Sequence, residues 1–126
     1  MLKDTFFSIK ETSDLHNGRT YRLSLHVLHP IFQAHFAGNP IMPGACIVQM
    51  IKELVSDYVG RTLFVCSVKN MKFLLPINPL ESPEISVQLF ITQLQTNHVS
   101  VSAVLNNNGT VFSKSTLMLE VLDEPK

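Results

Sequence analysis

Only one stretch of this chain, residues 43–59, is long enough and suitably punctuated to be a substantial helix. Proline at 43 suits a first helical turn, and Gly60 suits a C-terminal stop. Its first half, with Ala45, Cys46, Ile47, Val48, Met50 and Ile51, is apolar on nearly every side. A helix of that kind is enclosed by protein rather than lying on a surface. The expectation is a helix with Ile47, Val48 and Ile51 buried.

Almost everything around it alternates with period two, as half-buried strands do. Residues 5–10 read as a first strand, followed by a turn at Leu15, His16, Asn17 and Gly18. In residues 19–27, Tyr21, Leu23, Leu25 and Val27 share one side, opposite Arg22, Ser24 and His26. Residues 29–42 are irregular, rich in Pro, Gly and His, and residues 63–73 are β-rich. Ile85, Val87, Leu89 and Ile91 form one apolar row, and Val99, Val101, Ala103 and Leu105 another. Asn108-Gly109 signals a hairpin into a last strand over residues 110–121. With no helices between the later strands, the sheet must be mostly antiparallel. The pattern therefore predicts an α+β fold in which five or six antiparallel strands curl around one long central helix. That is the hotdog architecture, here expected as a single domain over residues 1–126.

Charge narrows the function classes. Ten basic residues balance ten acidic ones, and no basic run marks a nucleic-acid or membrane-binding stripe. No apolar stretch approaches the ~18 residues that span a bilayer. The first residues lack a basic region followed by an apolar run, so no secretory signal is expected. The expectation is a cytoplasmic chain with no nucleic-acid or membrane partner. Cys46 and Cys66 lie in apolar stretches without metal-ligand spacing and read as buried free thiols. Asn108-Gly109-Thr110 matches a glycosylation sequon but reads more simply as the hairpin turn.

The chemistry is concentrated in His35-Phe36-Ala37-Gly38-Asn39-Pro40-Ile41-Met42-Pro43-Gly44. Prolines and glycines in so short a span set an unusual backbone path leading directly into the helix. A helix N-terminus presents unpaired N–H groups and partial positive charge. Gly44 lets a ligand atom approach the backbone closely, and a carbonyl oxygen placed there would be polarised. A histidine nearby is the side chain best suited to move a proton at neutral pH. Together these parts suit proton abstraction next to a carbonyl; the competing reading is a structural loop with one satisfied histidine.

The segment from His29 to Gly44 closely resembles the signature of the bacterial 3-hydroxyacyl-(acyl-carrier-protein) dehydratases, a hotdog family. Their pattern is His-Phe-Pro-Gly-x-Pro-x-x-Pro-Gly, from which only Ala37 departs. Lys72-Phe73-Leu74-Leu75-Pro76-Ile77-Asn78-Pro79 resembles a second family motif, with Leu80-Glu81 replacing its closing Gly-Asp. The resemblance implies that His35 is the base that removes a proton from C2 of the acyl chain. It implies that the Gly44 N–H donates to the thioester carbonyl, and that an acyl carrier protein delivers the substrate. No metal or redox cofactor is implied; the acyl group travels on phosphopantetheine, of the carrier or of CoA. In the family a carboxylate on the central helix, supplied by the other subunit, works with the departing hydroxyl. That implies a homodimer, or a heterodimer with a carboxylate-bearing paralogue.

At the carboxylate's position this chain has Gln49, with Glu53 four residues later, whereas the family usually has Glu followed by Gln. Residues at i and i+4 share a helix face, so Glu53 is a candidate to take over the role. The plainer reading is that Gln49, Lys52, Glu53, Ser56 and Asp57 form a solvated polar stripe. The family's common short type also begins with a helix and a Pro-His-Arg-x-Pro segment that helps wall the acyl tunnel. This chain starts almost at its first strand, so substrate length does not carry over. His26, His29 and His35 have no fixed ligand geometry, and no metal is expected there. Cys46 near the helix start is a candidate nucleophile, but more simply a small buried hydrophobe. Lys52, Lys69 and Lys72 are either carrier-protein contacts or scattered solubilising charge. Rival functions on this fold are thioester hydrolysis and a degenerate acyl-binding or heterodimer subunit.

Overall fold

A computed structural model describes residues 2–34 and 41–122. Six strands and two helices follow in the order β1 (Phe7–Leu15), β2 (Gly18–Leu25), α1 (Pro30–Ala34), α2 (Gly44–Val59), β3 (Leu63–Phe73), β4 (Glu84–Leu94), β5 (His98–Asn107) and β6 (Thr110–Val121). All six strands join one sheet in the order β1-β2-β4-β5-β6-β3, every neighbouring pair antiparallel. This is the hotdog architecture expected from the alternating pattern.

Where the sequence alternates, along β2, β4, β5 and β6, one row of side chains is buried in the core. Tyr21 and Leu23 of β2, Ile85, Val87 and Leu89 of β4, and Val101 and Leu105 of β5 are all fully buried. Leu117 and Leu119 of β6 and Leu63 of β3 close the same core. From α2, Ile47, Met50, Ile51, Leu54 and Val55 enter it, each large side chain contributing roughly 1.5–3 kcal/mol. Val48, expected in the core, is only half-buried and packs against the core's margin.

Two turns are made by residues that tolerate left-handed backbone. Asn108 (φ 50°) and Gly109 (φ 87°) both occupy it, the requirement of a tight two-residue hairpin. At the β1–β2 turn Asn17 does the same (φ 61°). A Cβ on the next residue, Gly18, would lie 1.9 Å from the Leu89 carbonyl oxygen, so no other side chain fits there.

Two boundaries differ from expectation. The first strand runs on to Leu15, because Glu11 to Leu15 pair with β2 past a bulge at Lys10, while the exposed side chains of Glu11 to Asp14 hide the alternation. The irregular stretch opens with the five-residue α1, started by Pro30 in the position proline favours. Its fully buried Phe32 stacks on Phe6 with ring centroids 4.6 Å apart.

Candidate active site

The start of α2 borders an apolar cleft of about 420 Å3. One wall is Ile41, Met42, Pro43, Gly44 and Ile47; the other is Phe73 to Ile77. These are the two segments that carry the family resemblance, brought face to face. The Met42 N–H donates to the Ile77 carbonyl at 2.8 Å and clamps them together. The Leu74 and Leu75 N–H groups donate to the Phe112 carbonyl, tying the second wall to β6. Pro43 caps the helix with extended backbone and no side-chain hydrogen bond. Helix geometry leaves the Gly44 N–H without an intrahelical acceptor. A Cβ on Gly44 would come within 2.9 Å of the ring tip of Phe73, so a side chain here would compete with the cleft wall. Phe73 itself is largely exposed, an aromatic ring standing in solvent at the cleft mouth. His35 lies outside the described residues.

Two turns further along α2 the chemistry reverses. Glu53 is buried, with only 9% of its surface exposed. Its Oε2 accepts the Leu2 N–H at 2.7 Å and a Gln49 Nε2 hydrogen at 2.7 Å; its Oε1 accepts the Lys3 N–H at 2.9 Å. The solvated-stripe reading therefore fails for Glu53. The start of the chain folds over this flank of the helix, and its backbone donors need an acceptor. Asp57 is exposed as the stripe predicts, while Lys52 and Ser56 are half-buried. Gln49 is also half-buried, and its amide must turn its NH2 towards the acceptor-only carboxylate, which leaves Oε1 free. These groups line a cavity of about 430 Å3 that shares no lining residue with the Gly44 cleft. Asp57 accepts the Tyr21 hydroxyl at 2.7 Å, and burial followed by this contact pushes the Tyr21 hydroxyl well above its ordinary pKa.

With this geometry in view, the comparisons with known proteins are specific. The model of the ApeI dehydratase family matches residues 11–115. This chain belongs to the ApeI-like dehydratase family. It is 29% identical over 106 residues to a 3-hydroxyacyl-(acyl-carrier-protein) dehydratase FabZ of Caulobacter sp. strain K31, covering 77% of this chain and 64% of that one. A FabZ of Herpetosiphon aurantiacus is 26% identical over 101 residues, 75% of this chain and 70% of that one. The chain thus spans somewhat less than two thirds of the first of these relatives. Among solved structures, the dehydratase heterocomplex ApeI:P of Xenorhabdus doucetiae superposes with a TM-score of 0.69 at 10% identity, over 92% of this chain and 83% of that one. A thioesterase of Haemophilus influenzae superposes with 0.62 at 17% identity, over 94% and 80%. At such identities these structural matches speak for the fold alone.

The remaining candidates of this family member fall into place by burial. Cys46 is half-buried, and burial pushes its thiol pKa up, opposite to what an activated nucleophile needs. Cys66, read as buried, is exposed: it lies on an edge strand whose apolar neighbours do not all point inwards. His26 is engaged by Ser8 Oγ at 2.7 Å and the Thr5 carbonyl at 2.8 Å, and His29 Nδ1 accepts the Ile31 N–H at 3.1 Å. Phe73 and the Met42–Ile77 clamp escaped the sequence reading as site features, although the second motif contained the signal. No helix among the described residues is long and apolar enough to cross a membrane.

Proposed function

We propose that this chain is a dehydratase subunit that removes water from a 3-hydroxyacyl thioester, giving a trans-2-enoyl thioester. The observation that carries the reading is the family match over residues 11–115, which encloses both motifs that wall the Gly44 cleft. The substrate would be held on the phosphopantetheine of an acyl carrier protein or on CoA, its thioester carbonyl accepting the Gly44 N–H. His35 would take the C2 proton as the C3–O bond breaks. The departing hydroxyl needs a proton to leave as water. Gln49, through its free Oε1, can accept a hydrogen bond from that hydroxyl but has no proton to donate and recover.

Glu53 is better suited to positioning than to acid catalysis: three donors already occupy its two oxygens. A further consideration is that the Gly44 cleft and the Gln49 cavity are separate within one chain. We therefore propose that the working unit pairs two hotdog chains, each cleft completed by its partner's helix. The partner is a second copy or, to supply the missing acid, a carboxylate-bearing paralogue. β3 stands at the edge of the sheet with Phe64 and Val68 exposed, an edge that gains by pairing. Two free thiols fit a cytoplasmic location.

The test is an assay of the purified chain with 3-hydroxyacyl, 2-enoyl and simple acyl thioesters, alone and with a carboxylate-bearing partner. Dehydration or hydration that appears or rises on adding the partner, or with Gln49→Glu in the chain alone, is the expected result. Release of free thiol from simple acyl thioesters would instead make the chain a hydrolase. Inertness of the chain, of its Gln49→Glu variant and of the mixture would leave acyl binding as its function.

A further inference from the structure

On the outer face of the sheet, three strands bring together three side chains of ligand-forming type. Cys66 comes from β3, His98 from β5 and Glu120 from β6, and β5, β6 and β3 are consecutive in the sheet. One ligand atom from each lies within 4.8 Å of the other two, and all three residues are exposed. His98 and Glu120 are direct cross-strand partners. Glu120 faces Phe64 on its other side, and Cys66 follows where the β3–β6 register shifts between Val65 and Ser67. The Cys66 thiol donates to Glu120 Oε2 at 3.7 Å.

We propose that Cys66, His98 and Glu120 form a binding site for a borderline-soft divalent cation of the zinc class. Thiolate, imidazole and carboxylate together select zinc or cobalt over magnesium and calcium, which take oxygen donors. Bonds of about 2.0–2.3 Å around a tetrahedral ion place ligand atoms roughly 3.3–3.8 Å apart. The thiol–carboxylate separation already lies in that range, and the remaining closure is a side-chain adjustment on a backbone held by two ladders. Three protein ligands leave the fourth position to water, as in open zinc sites. On binding, the Cys66 thiol gives up its proton to solvent and the cation takes its place between sulfur and carboxylate. None of its ligands lines either cavity on α2.

The experiment uses the reduced, untagged, metal-stripped chain. Titration with Co2+ is expected to give the intense tetrahedral visible bands and a thiolate-to-cobalt charge-transfer band. Zn2+ should displace it at one ion per chain, measured against a chromophoric chelator. Cys66→Ser should abolish the charge-transfer band. Cys66→Ser and His98→Ala should each weaken Zn2+ binding by more than the about tenfold typical of losing an outer-shell partner. Cys46→Ser should bind as the parent does. A pale octahedral cobalt spectrum without charge transfer, Zn2+ affinity that survives Cys66→Ser, or loss of the site in Cys46→Ser would each overturn the proposal. Circular dichroism of the variants separates ligand loss from unfolding.

Discussion

The two cavities along α2 are nearly equal in size, about 420 and 430 Å3, and differ in the side chains that line them. The cleft at Gly44 is walled by aliphatic and aromatic side chains, with a backbone N–H as its polar feature. The cavity at Gln49 has Gln49, Lys52, Glu53 and Asp57 among its lining, beside the apolar Leu63. One helix thus borders an apolar cleft at its positive end and carries hydrogen-bonding side chains in its middle. Cavity size does not tell them apart; commitment of the polar atoms does. At the first, the Gly44 N–H has no intrahelical acceptor. At the second, the carboxylate is already spoken for by Leu2, Lys3 and Gln49.

The sharpest way to break this contrast is to remove the base that the motif assigns to the apolar side. His35→Ala is expected to lower turnover of a 3-hydroxyacyl thioester by at least about a hundredfold, with unchanged circular dichroism. Undiminished turnover would move the chemistry away from the Gly44 cleft.

Next in size is the polar side. Glu53→Ala leaves two backbone N–H groups and the Gln49 amide without their acceptor, and should cost about 2 kcal/mol in urea unfolding. If stability is unaffected while Glu53→Gln abolishes turnover, Glu53 is the acid and the contrast collapses.

The smallest expected effect refines the cleft. Gly44→Ala places a methyl against the Phe73 ring and should reduce turnover on the order of tenfold. Stability should hold or rise by up to about 1 kcal/mol, since alanine is the better helix former and the exposed ring can swing aside. A loss of stability together with activity would mean that Phe73 is fixed and the cleft rigid.

Much of the fold was legible because its signals are local. The helix stop at Gly60, the Asn108-Gly109 turn and the inward rows of β2, β4 and β5 are each set by residues a few positions apart. The same locality misled at β1, where Glu11 to Asp14 pair with β2 although their side chains are exposed, and at Cys66, whose apolar neighbours suggested burial on a strand that lies at the sheet's edge. Of the candidate site, Gly44 and the second motif were visible as chemistry. That Glu53 is buried depends on the chain's first residues crossing the helix some fifty positions away, which no periodicity records.

The sequence by itself therefore determined the main helix, the antiparallel sheet and the family, because period and motif are properties of neighbouring residues. Only the tertiary structure decided which polar atoms are engaged and which ligand-type side chains meet. Glu53 is satisfied by the chain start, and Cys66, His98 and Glu120 converge through the strand order β5-β6-β3. Burial and convergence are set by long-range packing, where residues distant in the chain share one small volume.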